Sequence, residues 1–460
     1  MHKHAKRFWR EEGNMKASRE RYIERLTGND FIDGELYGKF NVKRGLRNSD
    51  GTGVLVGLTR VGDVHGYIID EGEKVAIDGK LFYRGVDVED IVSSAAREGR
   101  FAYEETAYLL LFGELPTREQ LDGFSALIGK SRGLPQNFAE DSIMKFPSRD
   151  IMNKLARSVL TLYSYDDNPD DLSIGNILRQ SLELIARFPI IAAYSYMAKK
   201  YYFDASSLIL HVPDNSCSTA EVILSLIRPD KKYSRLEAEL LDLALVLHAE
   251  HGGGNNSTFA VHLVSSAETD TYSAIAAGIE SLKGFKHGGA NIKVMGMMDD
   301  IKNNVKRWDD EEELSAYLVS LLKGEAYDHS GLIYGQGHPV YTRSDPRTTL
   351  LRDKAEALAQ ERNLSSEFAL YRLIERLTPE VFKKVKGSDK EICTNVDFYS
   401  GFVYAMLGIP RDLFTPIFAI SRVSGWCAHR LEEIISGGRI IRPAYKCVQP
   451  RLSYTPLDQR

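Results

Sequence analysis

The sequence predicts a mainly α-helical fold with a small β-containing region near the N-terminus, and three observations indicate this. From about Phe31 to Gly85 the chain is rich in glycine and β-branched residues, which is typical of short strands and turns. Past Glu89, apolar residues recur mostly with helical spacing. No internal repeat or low-complexity linker interrupts the 460 residues, of which 43% are apolar. A chain of this length and composition can bury a large core.

The first 25 residues carry charges of both signs, and we expect an exposed leader helix there. A signal peptide needs an apolar centre and a transit peptide is poor in acidic residues, so this segment fits neither. No apolar run approaches the ~20 residues that span a bilayer. The four cysteines are too few and too scattered for a disulfide framework. These features predict a protein of the reducing cytoplasm.

The charge pattern excludes two classes of partner. The formal net charge is -5, and acidic and basic residues are interspersed along the chain. Such a pattern offers no basic face for nucleic acid and no polybasic patch for a membrane surface. We therefore expect small-molecule ligands and neither nucleic acid nor membrane.

Three helices are indicated by their apolar stripes and end signals. The first stripe follows the capping-box pair Ser234 and Glu237, and it consists of Leu236, Leu240, Leu243 and Leu247. A second helix, over residues 274–282, is predicted to end at Gly284. A third stripe is predicted to break at the Thr378-Pro379 pair, and it consists of Leu370, Leu373, Ile374 and Leu377.

A fourth helix is predicted from Thr415 to Gly437. Thr415 is expected to cap this helix, Pro416 suits its first turn and Gly437 suits its end. Two of its faces carry large apolar side chains, so we expect the whole helix to be buried.

Arg422 lies within this predicted buried helix, one turn from Phe418 and one turn from Trp426. A guanidinium keeps its proton there and must find an anion. The partner is either a buried aspartate or glutamate in a structural ion pair or the carboxylate of a ligand.

Three histidines and one aspartate occupy glycine-marked turns. They are His251 in HAEHGGGNNST, His287 in GFKHGGAN, His338 in GQGHPVY and Asp397 in NVDFYSG. Acid–base chemistry needs groups that titrate near neutrality, and glycine lets the backbone approach a substrate closely. Together they indicate an active site, because otherwise four unrelated structural explanations would each have to hold.

Each of these residues also has a purely structural interpretation. His287 can bond helix-terminal carbonyls, His338 can belong to an ordinary turn, and Asp397 can cap the helix that follows it. His248 and His251 form an H-x-x-H pair, but no third ligand pattern accompanies it. The sequence therefore predicts no metal site.

These motifs, together with GQGHPVYTRSDPR and ISRVSGW, resemble the ordered motifs of citrate synthases. The resemblance covers most of the chain, from GKLFYRG at residues 79–85 to IIRP at residues 440–443. It implies a nearly all-α homodimer with the active site in a cleft between two domains. We expect a large domain over residues 1–294 and 403–460 and a small domain over residues 295–402.

The resemblance also implies roles for the site residues. Asp397 corresponds to the base that removes a proton from acetyl-CoA, and His287 to the neutral imidazole that donates to the thioester oxygen. His338 corresponds to the group that polarises the ketone of oxaloacetate, and His251 to a further oxaloacetate ligand. The arginines that bind the two carboxylates are Arg347, Arg422 and, from the second subunit, Arg442. No metal or redox cofactor is implied.

For coenzyme A, the resemblance implies an adenine-binding loop over residues 332–337 and a basic residue near the phosphates. The position after the VY of GHPVY is often basic in the family and is Thr342 here, with Arg343 next to it. Two further departures are Gly252 in place of an acidic residue and Thr394 in place of a proline. The candidates for CoA binding are Leu332, Gly335, Gly337, Arg343 and Lys390.

Several functions remain open at this point. Citrate synthase and 2-methylcitrate synthase share the motifs, and their acyl pockets distinguish one methylene group, worth about 1 to 3 kcal/mol. A non-catalytic binder of CoA or carboxylates would have lost the base or an arginine, yet all are present. A metal-dependent hydrolase would use His248, His251 and His262.

Overall fold

The chain divides into two compact units, residues 1–57 and residues 58–460. The computed structural model describes residues 19–27, 30–48, 51–70, 73–387 and 391–460. In the first unit, residues 19–27 are helical, which confirms the end of the predicted leader helix, whereas residues 1–18 lie outside the described part.

The prediction of strands from Phe31 onward is wrong for the first unit. Its described part contains helix α1 (Gly34–Lys39) and a short 3₁₀ turn at Arg44–Leu46. The Asp33 side chain accepts a hydrogen bond from the backbone N–H of Glu35, so a local cap starts α1 within the glycine-rich segment.

The second unit begins with the predicted β region. Strands β1 (Gly62–Asp70), β2 (Glu73–Tyr83) and β3 (Val86–Asp87) form an antiparallel sheet in that order. A Cβ at Gly66 would lie 2.5 Å from the carbonyl oxygen of Val340, and one at Gly79 would lie 2.2 Å from that of Ser344. Only glycine allows this approach, which fixes the segment after His338 against the sheet.

The remainder of the second unit is mainly helical, as predicted, up to the irregular segment after residue 435. Its helices are α2 (Val88–Glu98), α3 (Tyr103–Phe112), α4 (Arg118–Lys130), α5 (Ile151–Leu162), α6 (Ile174–Phe203), α7 (Thr219–Ile227), α8 (Arg235–His248), α9 (Asn256–Ser265), α10 (Thr271–Lys283), α11 (Ala290–Asn304), α12 (Glu311–Lys323), α13 (Pro346–Glu361), α14 (Ser365–Lys386), α15 (Val396–Met406) and α16 (Phe414–Ile435). A π-helical turn, Ala139–Met144, precedes α5. None of the described helices is long and apolar enough to cross a membrane.

Two predicted helix ends are confirmed by their capping contacts. The Ser234–Glu237 capping box starts α8, and Gly284 is the C-cap of α10. The predicted break at Thr378-Pro379 is wrong, because α14 continues through Pro379 to Lys386. Leu377 and Val381 are buried on either side of the proline, so tertiary packing outweighs the loss of one backbone hydrogen bond.

Helix α16 is buried as predicted, but Thr415 does not cap it. The helix already includes Phe414, and the Thr415 hydroxyl instead donates to the carbonyl oxygen of Gly288 at 3.0 Å. This contact attaches the start of α16 to the turn that carries His287. The predicted division into domains at residues 295 and 402 stays a prediction.

Candidate active site

His251 lies three residues beyond the end of α8, in a turn that Gly252 makes possible with a φ of +83°. The His251 side chain is buried, and its ring centroid lies 5.1 Å from that of His338 in an edge-on arrangement. The Tyr341 ring also contacts His251 edge-on, at 5.7 Å. His251 and His338 are 87 residues apart in the sequence, and the fold makes them neighbours.

The protonation pattern of His338 follows from its backbone contacts. Its Nδ1 accepts hydrogen bonds from the backbone N–H groups of Val340 and Tyr341, each at 3.1 Å, and its ring stacks on Tyr341 at 4.7 Å. Because Nδ1 is an acceptor, the neutral ring carries its proton on Nε2. His338 can therefore donate a hydrogen bond through Nε2.

A short antiparallel pairing connects the His338 turn to the Asp397 segment. The Gly337 N–H donates to the carbonyl oxygen of Cys393 at 2.7 Å, and the Asn395 N–H donates to that of Gly335 at 2.9 Å. Gly335 has a φ of +80°, and a Cβ there would lie 2.8 Å from Phe398. These contacts fix the position of His338 relative to the start of α15.

Asp397 lies in the first turn of α15, and Asn395 is the N-cap instead. The Asn395 Oδ1 accepts the backbone N–H of Asp397 at 3.0 Å, so the interpretation of Asp397 as a cap is wrong. Burial raises the pKa of Asp397 to about 6, although Arg347 and Arg422 act in the opposite direction. A carboxyl group that titrates near neutrality is suited to act as a general base.

His287 lies in the turn after α10, and its Nε2 is 3.1 Å from the hydroxyl oxygen of Ser257. The Trp426 indole N–H donates to the same oxygen at 3.3 Å. Burial lowers the pKa of His287 to about 4, and the charge of Arg422 adds to this effect. The imidazole is therefore neutral at physiological pH, and its ring contacts a side chain rather than helix-terminal carbonyls.

Arg422 is fully buried, and its guanidinium is only partly satisfied. The Nε donates to the carbonyl oxygen of His248 at 2.7 Å, and the guanidinium carbon lies 4.8 Å from the Phe418 ring centroid. Neither Nη1 nor Nη2 has a hydrogen-bond partner among the described residues. Burial lowers the pKa of Arg422 to about 10, yet the group stays charged at neutral pH. Among the described residues no carboxylate forms a direct ion pair with Arg422, and the buried Glu250 acts on it only through its charge. The unpaired Nη groups therefore indicate a site for an anionic ligand.

Arg347 lies in the first turn of α13 and is also buried, but it has a carboxylate partner. Its Nε and Nη2 donate to Oδ1 and Oδ2 of Asp345 at 3.0 and 2.7 Å. Burial alone would lower the pKa of Arg347, but the Asp345 carboxylate outweighs it and raises this pKa. Arg347 is thereby held rigidly beside Tyr341, whose ring centroid is 5.8 Å away.

Three other predicted residues are exposed to solvent. Arg442 is exposed on the irregular segment after α16, where the neighbouring Ile441 N–H donates to the Ser266 hydroxyl at 3.1 Å. Leu332 is exposed, and the exposed Arg343 lies 3.4 Å from a carboxylate oxygen of Glu391. Lys390 lies outside the described residues.

Sequence reasoning missed three residues that shape the site. Ser257 follows the His251 motif, Tyr341 lies in GHPVY, and Asp345 immediately precedes Pro346. The order D-P-R is a usable signal for the Asp345–Arg347 pair, because an aspartate that caps a helix can also reach a side chain in its first turn. Nothing local predicts that Ser257 meets His287.

A family model described as "Citrate synthase, C-terminal domain" matches residues 50–444. Citrate synthase of Haloferax volcanii is 34% identical over 407 residues, which are 86% of this chain and 98% of that protein. The 2-methylcitrate synthase of Shewanella oneidensis is 32% identical over 384 residues, covering 82% of this chain and 92% of that protein.

Solved structures agree with the sequence comparison. Citrate synthase from Pyrobaculum aerophilum superposes with a TM-score of 0.71 at 30% identity, covering 88% of this chain and 94% of that one. Citrate synthase from Thermoplasma acidophilum was solved as a ternary complex with carboxymethyl coenzyme A and oxaloacetate. It superposes with a TM-score of 0.75 at 26% identity, and the match covers 91% of this chain and 99% of that one. The mainly α fold with a small N-terminal sheet is confirmed. The chain is thus an acyltransferase of the condensing type, and it belongs to the citrate synthase family.

Proposed function

We propose that this chain condenses acetyl-CoA with oxaloacetate and hydrolyses the resulting citryl-CoA. The observation that supports this most is the buried Arg422 guanidinium, whose two Nη atoms have no partner among the described residues. A dicarboxylate supplies the missing anion. The related Thermoplasma enzyme was solved with oxaloacetate and a CoA analogue, which agrees with this ligand class.

Asp397 and His287 form the proposed pair for enolisation. The methyl group of a thioester is a very weak carbon acid, so the base needs a simultaneous donor at the thioester oxygen. The pKa of Asp397, raised to about 6, suits the base, and the pKa of His287, lowered to about 4, keeps the imidazole a neutral donor. The proton moves from the methyl carbon to Asp397 as negative charge develops on the oxygen.

His338 acts on the second substrate. Its Nε2 proton, set by the two backbone bonds to Nδ1, polarises the ketone and passes to the oxygen as the new carbon–carbon bond forms. His251, at 5.1 Å from the His338 ring, serves as a further oxaloacetate ligand. Water then hydrolyses the thioester of citryl-CoA and releases citrate and CoA. These reaction steps need no redox cofactor and no catalytic metal.

The relatives include both citrate synthases and 2-methylcitrate synthases, which differ in the thioester they use. We expect this chain to prefer acetyl-CoA over propionyl-CoA. The test is the ratio of kcat/KM for the two thioesters with saturating oxaloacetate. A ratio of about tenfold or more in favour of acetyl-CoA is expected, since one methylene is worth about 1 to 3 kcal/mol. A preference for propionyl-CoA would assign 2-methylcitrate synthase activity instead.

The proposal includes a homodimer in which Arg442 reaches the partner's site. The segment after α16 leaves large apolar side chains in solvent, with Tyr445 at 95%, Leu452 at 78% and Tyr454 at 82% exposure. Such a stretch is typical of a surface that a second subunit covers. Arg442 would then join Arg347 and Arg422 around the two carboxylates.

Hybrid dimers test this arrangement. Arg442→Ala and Asp397→Asn are each expected to be nearly inactive as homodimers. If the arginine acts in trans, refolding the two together restores roughly a quarter of all sites, because half the dimers are hybrids with one complete site. Hybrid dimers without recovered activity would contradict the shared site.

Domain closure is the last part of the proposal. His338 and Arg347 lie within the expected small domain at residues 295–402, whereas His251 and Arg422 lie outside it, so one oxaloacetate would bridge both parts. Closure would complete the CoA site near residues 332–337, Arg343 and Lys390. Calorimetry should therefore show tighter binding of a CoA thioester analogue after oxaloacetate is added, and equal affinity would contradict closure.

A further inference from the structure

A second buried histidine cluster lies behind the turn that carries His251. His262 on α9 and His429 on α16 approach each other with Nε2 and Nδ1 3.0 Å apart. A carboxylate oxygen of Glu432 lies 3.8 Å from the same Nδ1 of His429. His429 is fully buried, whereas His262 and Glu432 keep 12% and 14% of their side-chain surface exposed, which leaves a path to solvent.

The outward-facing nitrogen of each ring meets a carboxylate. His262 Nδ1 lies 2.9 Å from Oε2 of Glu433, and His429 Nε2 lies 3.0 Å from Oε1 of Glu250. A carboxylate can only accept, so each one draws the ring proton to the outward side. With both protons on these sides, the lone pairs of His262 Nε2 and His429 Nδ1 face each other at 3.0 Å, with the Thr59 hydroxyl 3.5 Å from Nδ1. Either a shared proton or a metal ion then lies between the rings.

The charge around the cluster points the same way. Glu250, Glu432 and Glu433 contribute three carboxylates, and Oε2 of Glu250 and Oε2 of Glu432 lack a hydrogen-bond partner among the described residues. The other oxygen of Glu432 accepts the Arg60 backbone N–H at 2.7 Å. The Arg84 guanidinium, which donates to a backbone carbonyl, acts on Glu432 and Glu250 only through its charge, and Arg422 acts on Glu250 in the same way. Buried carboxylate oxygens without donors are costly unless a cation neutralises them.

We propose that this cluster binds one Zn²⁺ ion through His262 Nε2, His429 Nδ1 and Glu432 Oε2. These three atoms lie within 4.8 Å of one another. Bonds of roughly 2.0 to 2.2 Å in tetrahedral geometry separate neighbouring ligand atoms by roughly 3.3 Å. Two of the three separations, 3.0 and 3.8 Å, lie on either side of that value, and the third is at most 4.8 Å, so side-chain movements that draw the ligands together form the site.

The surroundings fit a zinc site beyond its three ligands. Glu433 and Glu250 supply the carboxylate–histidine–metal arrangement that orients each imidazole. The backbone of Gly253 lies against both rings, because a Cβ there would be 3.6 Å from His262 Nε2 and 3.6 Å from the His429 ring, at van der Waals distance. The fourth ligand would be a water molecule that enters from the partly exposed side of His262 and Glu432.

The ion would have a structural role near the active site and would take no part in the condensation. It would join α9 to α16 and, through Glu250, to the turn carrying His251. This departs from the expectation that the chain has no metal site, and the cluster differs from the His248, His251 and His262 set considered for a hydrolase. The inference does not depend on the proposed reaction.

Binding is tested on the full-length protein after chelator treatment and dialysis, by titration with ZnCl₂ in a calorimeter. One ion per chain is expected for the wild type. His262→Gln and Glu432→Gln change the partly exposed ligands and should each weaken binding at least 100-fold, and Glu433→Gln should weaken it about 10- to 100-fold. His65→Gln is the matched control, because His65 forms an exposed pair with Asp63 at 2.6 Å and should leave the stoichiometry unchanged.

A spectroscopic measurement complements the titration. Co²⁺ in place of Zn²⁺ should give the intense visible absorption of a tetrahedral site in the wild type and in His65→Gln, and not in His262→Gln. Failure of the wild type to bind one ion, or equal binding by His262→Gln, would overturn the proposal. In that case a shared proton, rather than a metal, holds the two imidazoles together.

Discussion

The two buried arginines of α16 lie two helical turns apart and have opposite surroundings. Arg422 and Arg430 are both fully buried, and burial lowers the pKa of each to about 10. Arg430 donates through all three nitrogens, to Thr271 Oγ1 at 3.1 Å, Ser265 Oγ at 3.1 Å and the carbonyl oxygen of Thr269 at 2.6 Å. Arg422 donates only through Nε, to a single backbone carbonyl.

This difference separates a structural arginine from a binding one. Burial by itself does not distinguish them, and neither does the residue type or the helix. What differs is whether the protein supplies the acceptors, because a buried cation whose donors are satisfied needs no ligand. We therefore assign chemistry to the Arg422 end of α16 and stability to the Arg430 end, and the predictions below test that assignment.

The largest effect is expected at the Arg422 end, for Asp397→Asn. The substitution preserves shape but removes the base, so steady-state turnover should fall about 10²- to 10⁴-fold while calorimetry shows oxaloacetate still bound. Asp353→Asn, which changes an exposed carboxylate on α13, is the control and should leave turnover unchanged. Turnover of Asp397→Asn within tenfold of wild type would remove Asp397 from the proposed role.

For the stability of the ligand-free protein, the Arg430 end of α16 is expected to matter more than the Arg422 end, and the effect is smaller than the effect on turnover. Arg430→Met leaves three acceptors without their donor, whereas Arg422→Met leaves one, and both remove a buried charge. Arg430→Met should therefore lower the free energy of unfolding by about 2 kcal/mol or more beyond Arg422→Met. Denaturant titration measures this difference. Equal values would mean that the two ends of α16 do not differ as described.

The third prediction concerns pH and is the smallest effect. Asp397 must be ionised to act, so kcat/KM should fall about tenfold between neutral pH and one unit below its pKa of about 6. Between about pH 4 and 6 the carboxyl group of Asp397 is protonated in the folded state and ionised in the unfolded state. Stability therefore falls as the pH rises through this range, and above it the ionised Asp397 destabilises the fold. Asp397→Asn should raise Tm at pH 7 relative to wild type and not at pH 4. An unchanged Tm difference across this range would contradict the pKa shift.

The sequence predicted elements whose signals are local. The Ser234–Glu237 box and Gly284 mark helix ends through contacts made within a few residues, and both were confirmed. Thr415 and Pro379 carry equally plausible local signals, but packing against distant segments decided both. Local preferences are worth about 1 to 3 kcal/mol, which tertiary contacts can exceed.

The candidate site shows the same limit. Its histidines and Asp397 stand in readable motifs, whereas the partners that set their properties are far away in sequence. Ser257 lies 30 residues from His287, and Glu433 lies 171 residues from His262. A motif can indicate which side chain acts, but only the fold brings together the groups that set its pKa or tautomer.

The most direct test of the central claim is calorimetric binding of oxaloacetate to Arg422→Met and Arg430→Met, each at a temperature where it is folded. If Arg422 is the receptor for a substrate carboxylate, its removal should weaken oxaloacetate binding at least about 30-fold, since truncating one partner of a buried charge pair costs about 2 to 5 kcal/mol. Arg430→Met should bind as wild type does. Oxaloacetate affinity within threefold of wild type in Arg422→Met would contradict the claim.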